Sequence, residues 1–175
     1  MTRQCGKPDS RFLNKRRIFQ CVFLLILLSG LGGGFFLRGK VVFVTDGDTL
    51  TILTRELNTR RIRLYGIDCP EFFQPGGDEA TKFTRSLAFL SDVEIKLMDT
   101  DRYGRAVALV ALPDGALLNE ELIRNGHAWV YDYYCRIPQC SQWRVLQKKA
   151  REHKTGLWGK NAKPVPPWVW RRQNR

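Results

Sequence analysis

Histidine is scarce in this chain: only His127 and His153 occur among 175 residues. None of the five cysteines, Cys5, Cys21, Cys69, Cys135 and Cys140, forms a C-x-x-C pair. These shortages argue against a structural zinc site, which needs four thiolate or imidazole ligands at close spacing. The turn Asp46-Gly47-Asp48 lacks the later glycine and the terminal glutamate of an EF-hand, so that calcium loop is excluded. No internal repeat is visible, and the length allows one compact domain with extensions rather than two. Acidic residues are also few, 17 against 29 Lys and Arg, for a net charge of +12.

The placement of that charge says more than its size. Residues 1–17 hold six basic side chains against Asp9, and residues 148–175 hold nine against Glu152. The stretch 38–147 is nearly neutral, with 14 basic and 15 acidic side chains. Between Arg17 and Arg38 run twenty residues with no formal charge, Ile18 to Leu37. At the rise of an α-helix they span roughly 30 Å, the thickness of a bilayer's hydrocarbon core. Basic residues before the run and few after it place the N-terminus in the cytoplasm and the remainder outside. A cleaved signal peptide is the alternative, although no clear A-x-A site follows the apolar run. Both readings export the domain, either membrane-anchored or secreted. The expected organisation is a basic segment 1–17, an anchor or signal helix 18–37, a folded domain 38–160 and a basic Pro/Trp/Arg tail 161–175. The first basic patch is a topology signal. The second is either a solvated helix face and tail or a surface that attracts polyanions.

From Gly39 the pattern becomes that of short strands. Val41–Val44, Thr49–Thr54, Arg61–Tyr65, Val93–Met98 and Ala106–Leu112 are β-branched or alternating, with turns at Asp46-Gly47-Asp48, Asn58 and Pro113-Asp114-Gly115. Helices are expected over Asp78–Leu90, with Ala80, Phe83, Leu87 and Leu90 on one face, and over Leu117–Asn125, closed by Gly126. A third, Gln139–Lys154, should bury Trp143, Leu146 and Ala150. Ala128–Tyr134 reads as extended or irregular, and Pro164–Arg175 as irregular. The fold class is therefore α+β, mainly β: a five-stranded Greek-key barrel of OB type with three flanking helices.

Acids cluster at two predicted strand ends. Asp46 and Asp48 follow the first strand, and Asp68 and Glu71 bracket Cys69-Pro70 after the third. Carboxylates held together need a neutralising cation, and a hard divalent ion with oxygen ligands answers that need. Taken singly, the Asp-Gly-Asp is a surface turn. Arg63 alternates with Leu64 and faces the other way, while Arg105 opens the next strand after Asp101-Arg102-Tyr103-Gly104. A guanidinium binds two phosphate oxygens at once and keeps its charge when partly buried. Acids, a metal and two arginines make a coherent phosphoryl-transfer site that needs no nucleophilic side chain. A Cys69 nucleophile with His127 as base is disfavoured, because a thiol between two acids resists ionisation.

The segments Val44–Thr49, Arg63–Glu71 (RLYGIDCPE) and Asp101–Arg105 (DRYGR), in this order, resemble the three signature motifs of the staphylococcal nuclease family. Asn119–Leu122, Gly126–Ala128 and Gly156–Trp158 add to a resemblance that covers about residues 40–159. It implies an OB-type barrel with three helices, and cleavage of DNA and RNA to 3′-phosphate ends with Ca2+. It also implies that Asp48, Asp68 and the Cys69 carbonyl ligate the calcium, with Asp46 close by. Glu71 would position or deprotonate the attacking water, and Arg63 and Arg105 would hold the phosphate. Tyr103 and Tyr134 match nucleotide-contacting positions, with Arg102 beside them. Cys69 stands where the family has threonine or alanine, Asp132 falls near a usual tyrosine, and Gln147 replaces a common acid. Cys135 and Cys140, separated by four residues including Pro138, are within reach of a disulfide in an oxidising compartment. A monomer is expected, with DNA and RNA as partners and the membrane as anchor. Two other classes stay open: a non-catalytic nucleic-acid-binding OB-fold module, and an anchored scaffold whose tail recruits a partner.

Overall fold

The computed structural model describes residues 36–160 and 162–174. The basic segment 1–17 and nearly all of the anchor or signal helix 18–37 lie outside the described residues. The end of that run does not. Phe36 and Leu37 already belong to strand β1 (Phe36–Asp46), paired with Lys96 and Ile95, and Leu37 packs against the core. The folded domain thus includes at least the two residues before Arg38, because an apolar strand residue with a hydrogen-bonding neighbour needs no charge beside it. Among the described residues no helix is long and apolar enough to cross a membrane.

Strands β2 (Thr49–Thr54), β3 (Thr59–Leu64), β5 (Asp92–Thr100) and β6 (Ala106–Ala111) join β1 in a closed barrel of order β1-β2-β3-β6-β5. All contacts are antiparallel except β3 with β6, the parallel pair that lets the chain cross over and close the sheet. β1 serves two neighbours: its first half pairs with β5 and its second with β2. Register shifts at Val41/Phe43 and Val44/Asp46 bend the strand sharply enough for this. Period-two alternation fills the interior with Val41, Leu50, Ile52, Ile62, Leu64, Ile95 and Ala108, and turns Arg63 outward between Ile62 and Leu64. The five strands match the sequence expectation. A two-residue ladder between β4 (Ile67–Asp68) and β7 (Trp129–Val130) was not anticipated, since two residues carry no periodicity.

Helix α1 (Gly77–Ala88) packs on β1 through Ala80, Thr84 and Ala88. Phe83 and Leu87 are partly buried against the core, but Leu90 is not on that face. The helix ends at Ala88, and Leu90 stands exposed at a positive φ of 62°. Helix α2 (Leu118–Arg124) buries Leu118, Asn119, Leu122 and Ile123, and α3 (Gln139–Glu152) buries Trp143, Leu146 and Ala150 as expected. A single 3-10 turn follows at Gly156–Trp158. Gln147, the departure from the acidic pattern, accepts the Val130 N–H at 2.7 Å and so satisfies a buried donor of β7.

The tail differs from its reading as irregular: Pro167–Gln173 forms a fourth helix, α4. Pro167 sits in its first turn, where the missing N–H costs nothing and the fixed φ favours helix. Three consecutive apolar residues, Trp168-Val169-Trp170, precede two arginines, so one face of this short helix can meet the domain while the other is solvated.

Candidate active site

The predicted site residues gather at one end of the barrel, in a cleft of about 850 Å3 lined among others by Asp46, Asp48, Arg63, Glu71, Tyr103, Arg105 and Tyr134. Asp68 lies fully buried beneath it, joined to the cleft through Arg63 and Arg171, and the disulfide cysteines do not line it. The first wall is the β1–β2 turn. Gly47 is required there by close approach: a Cβ would lie 2.8 Å from both Ala80 Cβ and Cys69 Cβ. The Thr84 hydroxyl donates to the Gly47 carbonyl at 2.5 Å, and the Asp48 N–H donates to Asp46 Oδ1 at 3.1 Å. The turn is thereby held between helix α1 and its own carboxylate.

The second wall is the segment after β3. Cys69 N–H donates to Asp48 Oδ2 at 2.7 Å, linking the two acid-bearing segments directly. The β4–β7 ladder fixes the Asp68 backbone opposite Trp129. The loop carrying Glu71 turns back on helix α1 so tightly that a Cβ on Gly77 would sit 1.9 Å from the Glu71 carbonyl oxygen.

Asp48 and Asp68 are buried acids. Arg63 forms ion pairs with both, reaching Asp68 Oδ1 at 2.6 Å. Burial is the largest influence on Asp46 and raises its carboxyl above the ordinary range, against the opposing pull of Arg63. Arg105 is aligned by Asp101, whose Oδ2 accepts from Nε at 2.6 Å. Asp101 Oδ1 accepts the N–H groups of Tyr103 and Arg105 at 2.9 and 3.0 Å. Burial works against the Asp101 carboxylate, yet these bonds outweigh it and lower its pKa. Arg102 Nη2 donates to the Tyr103 hydroxyl at 2.8 Å, and both side chains lie on the exposed rim.

Three cleft residues that bear on the site, Tyr131, Trp168 and Arg171, escaped the sequence reading. Tyr131, rather than Tyr134 alone, lines it, with its ring stacked on Trp168 of α4 at 5.0 Å and an interplanar angle of 3°. Arg171, one helical turn beyond Trp168, reaches the acids themselves. Its Nη2 donates to Asp68 Oδ2 at 2.7 Å, and its Nη1 donates to Glu71 Oε1 at 2.6 Å and to Asp68 Oδ1 at 3.3 Å. Burial opposes the charge on Arg171, but Asp68 and Glu71 outweigh it and raise its pKa. The signal was present: Trp168 and Arg171 stand three apart after Pro166-Pro167, the spacing of one helix face.

Among the described residues no three His, Cys, Asp or Glu side chains converge as a metal-holding group. The guanidinium groups of Arg63 and Arg171 stand between the carboxylates instead. The donor set nevertheless suits a hard cation. Four carboxylates, those of Asp46, Asp48, Asp68 and Glu71, face two arginines, leaving two negative charges uncompensated, and oxygen ligands are what calcium takes.

The thiol chemistry weighed from the sequence has no support here. Cys69 is free and buried, and burial pushes its thiol well above the ordinary value. His127 stacks on Phe83 at 4.4 Å instead of meeting it. Cys135 and Cys140 do form a disulfide, with Cα atoms 5.8 Å apart. It lies behind the cleft, where Cys135 Sγ packs close to Gly66 and ties the Tyr131–Tyr134 segment to the start of α3. Asp132 points away and pairs with Arg144 at 2.7 Å.

An OB-type barrel with buried acids and two outward arginines at one rim defines a phosphodiester-directed site. The comparisons agree with that class. The family described as staphylococcal nuclease homologue matches residues 61–160. A protein of Escherichia coli O157:H7 named "Uncharacterized endonuclease" is 42% identical over 135 residues, covering 77% of this chain and 85% of that relative. A "Micrococcal nuclease" of Shigella flexneri is 36% identical over 146 residues, with 79% and 82% covered. An "Uncharacterized endonuclease" of Haemophilus influenzae is 35% identical over 136 residues, with 78% and 74% covered. The chain belongs to the staphylococcal nuclease family.

Proposed function

We propose that this protein is a calcium-dependent endonuclease that hydrolyses DNA and RNA to 3′-phosphate ends on the outer side of a membrane. The observation that carries the reading is the linkage of Asp48, Arg63, Asp68 and Cys69 into one buried network opening on the cleft that also holds Glu71 and Arg105. Asp48, Asp68 and the Cys69 carbonyl, with Asp46 beside them, would hold the calcium ion. Bound there, it supplies Lewis-acid polarisation of the phosphodiester.

The chain's own groups do the rest. Glu71, half exposed at the cleft, accepts the proton of the attacking water as its oxygen bonds to phosphorus in line with the P–O5′ bond; that bond breaks, and the departing 5′-oxygen takes up a proton from solvent. Arg63 and Arg105 direct N–H donors at the phosphate oxygens and offset the charge that grows there in the transition state. Rim residues Tyr103, Arg102 and Tyr134 offer rings and a cation to the flanking nucleotides, where stacking tolerates any base. The apolar run from Ile18 up to the start of β1 exports the domain, as anchor or signal. The Cys135–Cys140 bond fits the oxidising side of a membrane.

The test is cleavage of labelled single- and double-stranded DNA and RNA by the full-length chain, with calcium titrated against a chelator. Glu71→Gln should lower kcat by orders of magnitude while thermal unfolding stays near wild type. A folded variant with wild-type turnover would exclude the mechanism. Chelator-insensitive binding without cleavage would favour a non-catalytic module instead. Protease added to cells whose outer envelope has been opened while the inner membrane stays sealed decides the location: cleavage of the domain, periplasmic or extracellular, is expected, and full protection would refute export.

A further inference from the structure

The tail helix α4 enters a site that its own chemistry does not need. Arg171 engages both oxygens of Asp68 and one of Glu71, so it holds one acid assigned to the cation and the acid assigned to the water. Trp168 lies flat on Tyr131, covering the face of a ring that lines the cleft beside Tyr134. One short helix therefore presents a planar ring where a nucleobase would stack and a positive charge where a cation would sit.

We propose that α4 is an autoinhibitory latch: Trp168 occupies the stacking platform and Arg171 the acidic pocket, and calcium and nucleic acid displace them together. This rests on the nuclease reading above.

Three features give the latch two states. Its root is fixed, since Gln74 Nε2 donates to the Val165 carbonyl at 2.5 Å and Pro167 is buried. Its tip is weakly held. A helix of seven residues has little stability of its own, so its position depends on the Trp168 stack and the Arg171 ion pairs. The released tip also has somewhere to go. Arg171 and Arg172 are cations that a phosphate backbone can pair with, so the substrate offers what Asp68 and Glu71 give up.

The direction of the effect follows from charge. With Arg171 seated, a cation approaching Asp68 meets a guanidinium on both of its prospective ligand oxygens, and like charges at that range repel strongly. Removing Arg171 takes the cluster from two uncompensated negative charges to three. Arg105 does not fill the gap, because Asp101 already holds it.

The experiment reads calcium binding directly, by isothermal titration of the full-length chain without nucleic acid. Wild type is compared with Arg171→Gln, Arg171→Lys and Trp168→Ala, with thermal unfolding run on each. Arg171→Gln should bind calcium about tenfold or more tightly. Arg171→Lys, which keeps the charge but loses the two-pronged fit, should fall between. At saturating calcium, Trp168→Ala should lower KM for a single-stranded oligonucleotide several-fold. Equal or weaker calcium affinity in a folded Arg171→Gln would overturn the latch while leaving the cation site intact. A raised KM in Trp168→Ala would likewise overturn it, making α4 a substrate-binding element. No calcium binding in any folded variant would refute both the latch and the calcium dependence beneath it.

Discussion

Replacing Arg63 by methionine keeps the length of the side chain, removes its charge, and tests the central network. Arg63 is mostly buried and is the group that Asp48 and Asp68, themselves buried, share. Deleting one partner of a buried ion pair costs about 3–5 kcal/mol, because the other is left without a counter-charge. Here the loss should sit at the lower end, about 3 kcal/mol. Asp48 keeps the Cys69 N–H at 2.7 Å and the Thr49 hydroxyl at 3.3 Å, and Asp68 keeps Arg171. Urea unfolding at neutral pH in chelator measures this loss. Calcium restores a counter-charge, so adding it should recover part of the lost stability in proportion to its binding. In cleavage assays the same variant loses a phosphate-directed donor and should slow kcat by roughly 10²–10³-fold. A variant as stable as wild type in chelator would show that the two acids are not charged against Arg63. Near-normal turnover would show that Arg63 does not face the reacting phosphate.

Four further outcomes are expected. Asp101→Asn frees Arg105 from its orienting carboxylate; kcat should fall about tenfold, while the loss of a half-buried, charge-assisted pair should cost about 1–2 kcal/mol, measured by steady-state cleavage beside urea unfolding. Asn119→Ala removes a buried amide that accepts from Val110 N–H at 3.1 Å and donates to Tyr65 O at 3.0 Å; it should cost about 2–4 kcal/mol from groups left unsatisfied, read in the same unfolding assay. Paired Cys135→Ser and Cys140→Ser should cost about 2 kcal/mol, the modest value of a short loop, with reducing agent reproducing the loss in wild type and leaving the variant unmoved. Burial holds the pKa of His127 below the ordinary 6.5 against the pull of Glu79, so folding disfavours its charged form. Its contribution is complete above pH 6.5 and is lost as the pH falls toward the folded value. Thermal unfolding from about pH 7 to pH 5 should therefore slope less in His127→Phe, which keeps the stack on Phe83.

The barrel was legible because its signals are local. Alternation of apolar residues declares a strand, Asp-Gly-Asp declares a turn, and three-to-four spacing declares which face of α3 is buried. The errors have local causes too. Leu90 continued the helical pattern of α1, but the chain turned at Ala88 and left it exposed. Phe36 and Leu37 looked like the end of an apolar run and proved to be strand, since hydropathy cannot distinguish lipid from a barrel wall as the place of burial.

What the sequence determined by itself was the inventory of chemistry: the acids at two strand ends, the arginines beside them, and their order along the chain. Only the tertiary structure decided which charges meet. It set Arg63 between two acids and Arg105 against Asp101, and it carried Arg171 back across about a hundred residues onto Asp68 and Glu71. Ion pairing acts over a few ångströms in space and leaves no period in sequence, so a tail that read as merely basic became part of the site through folding alone.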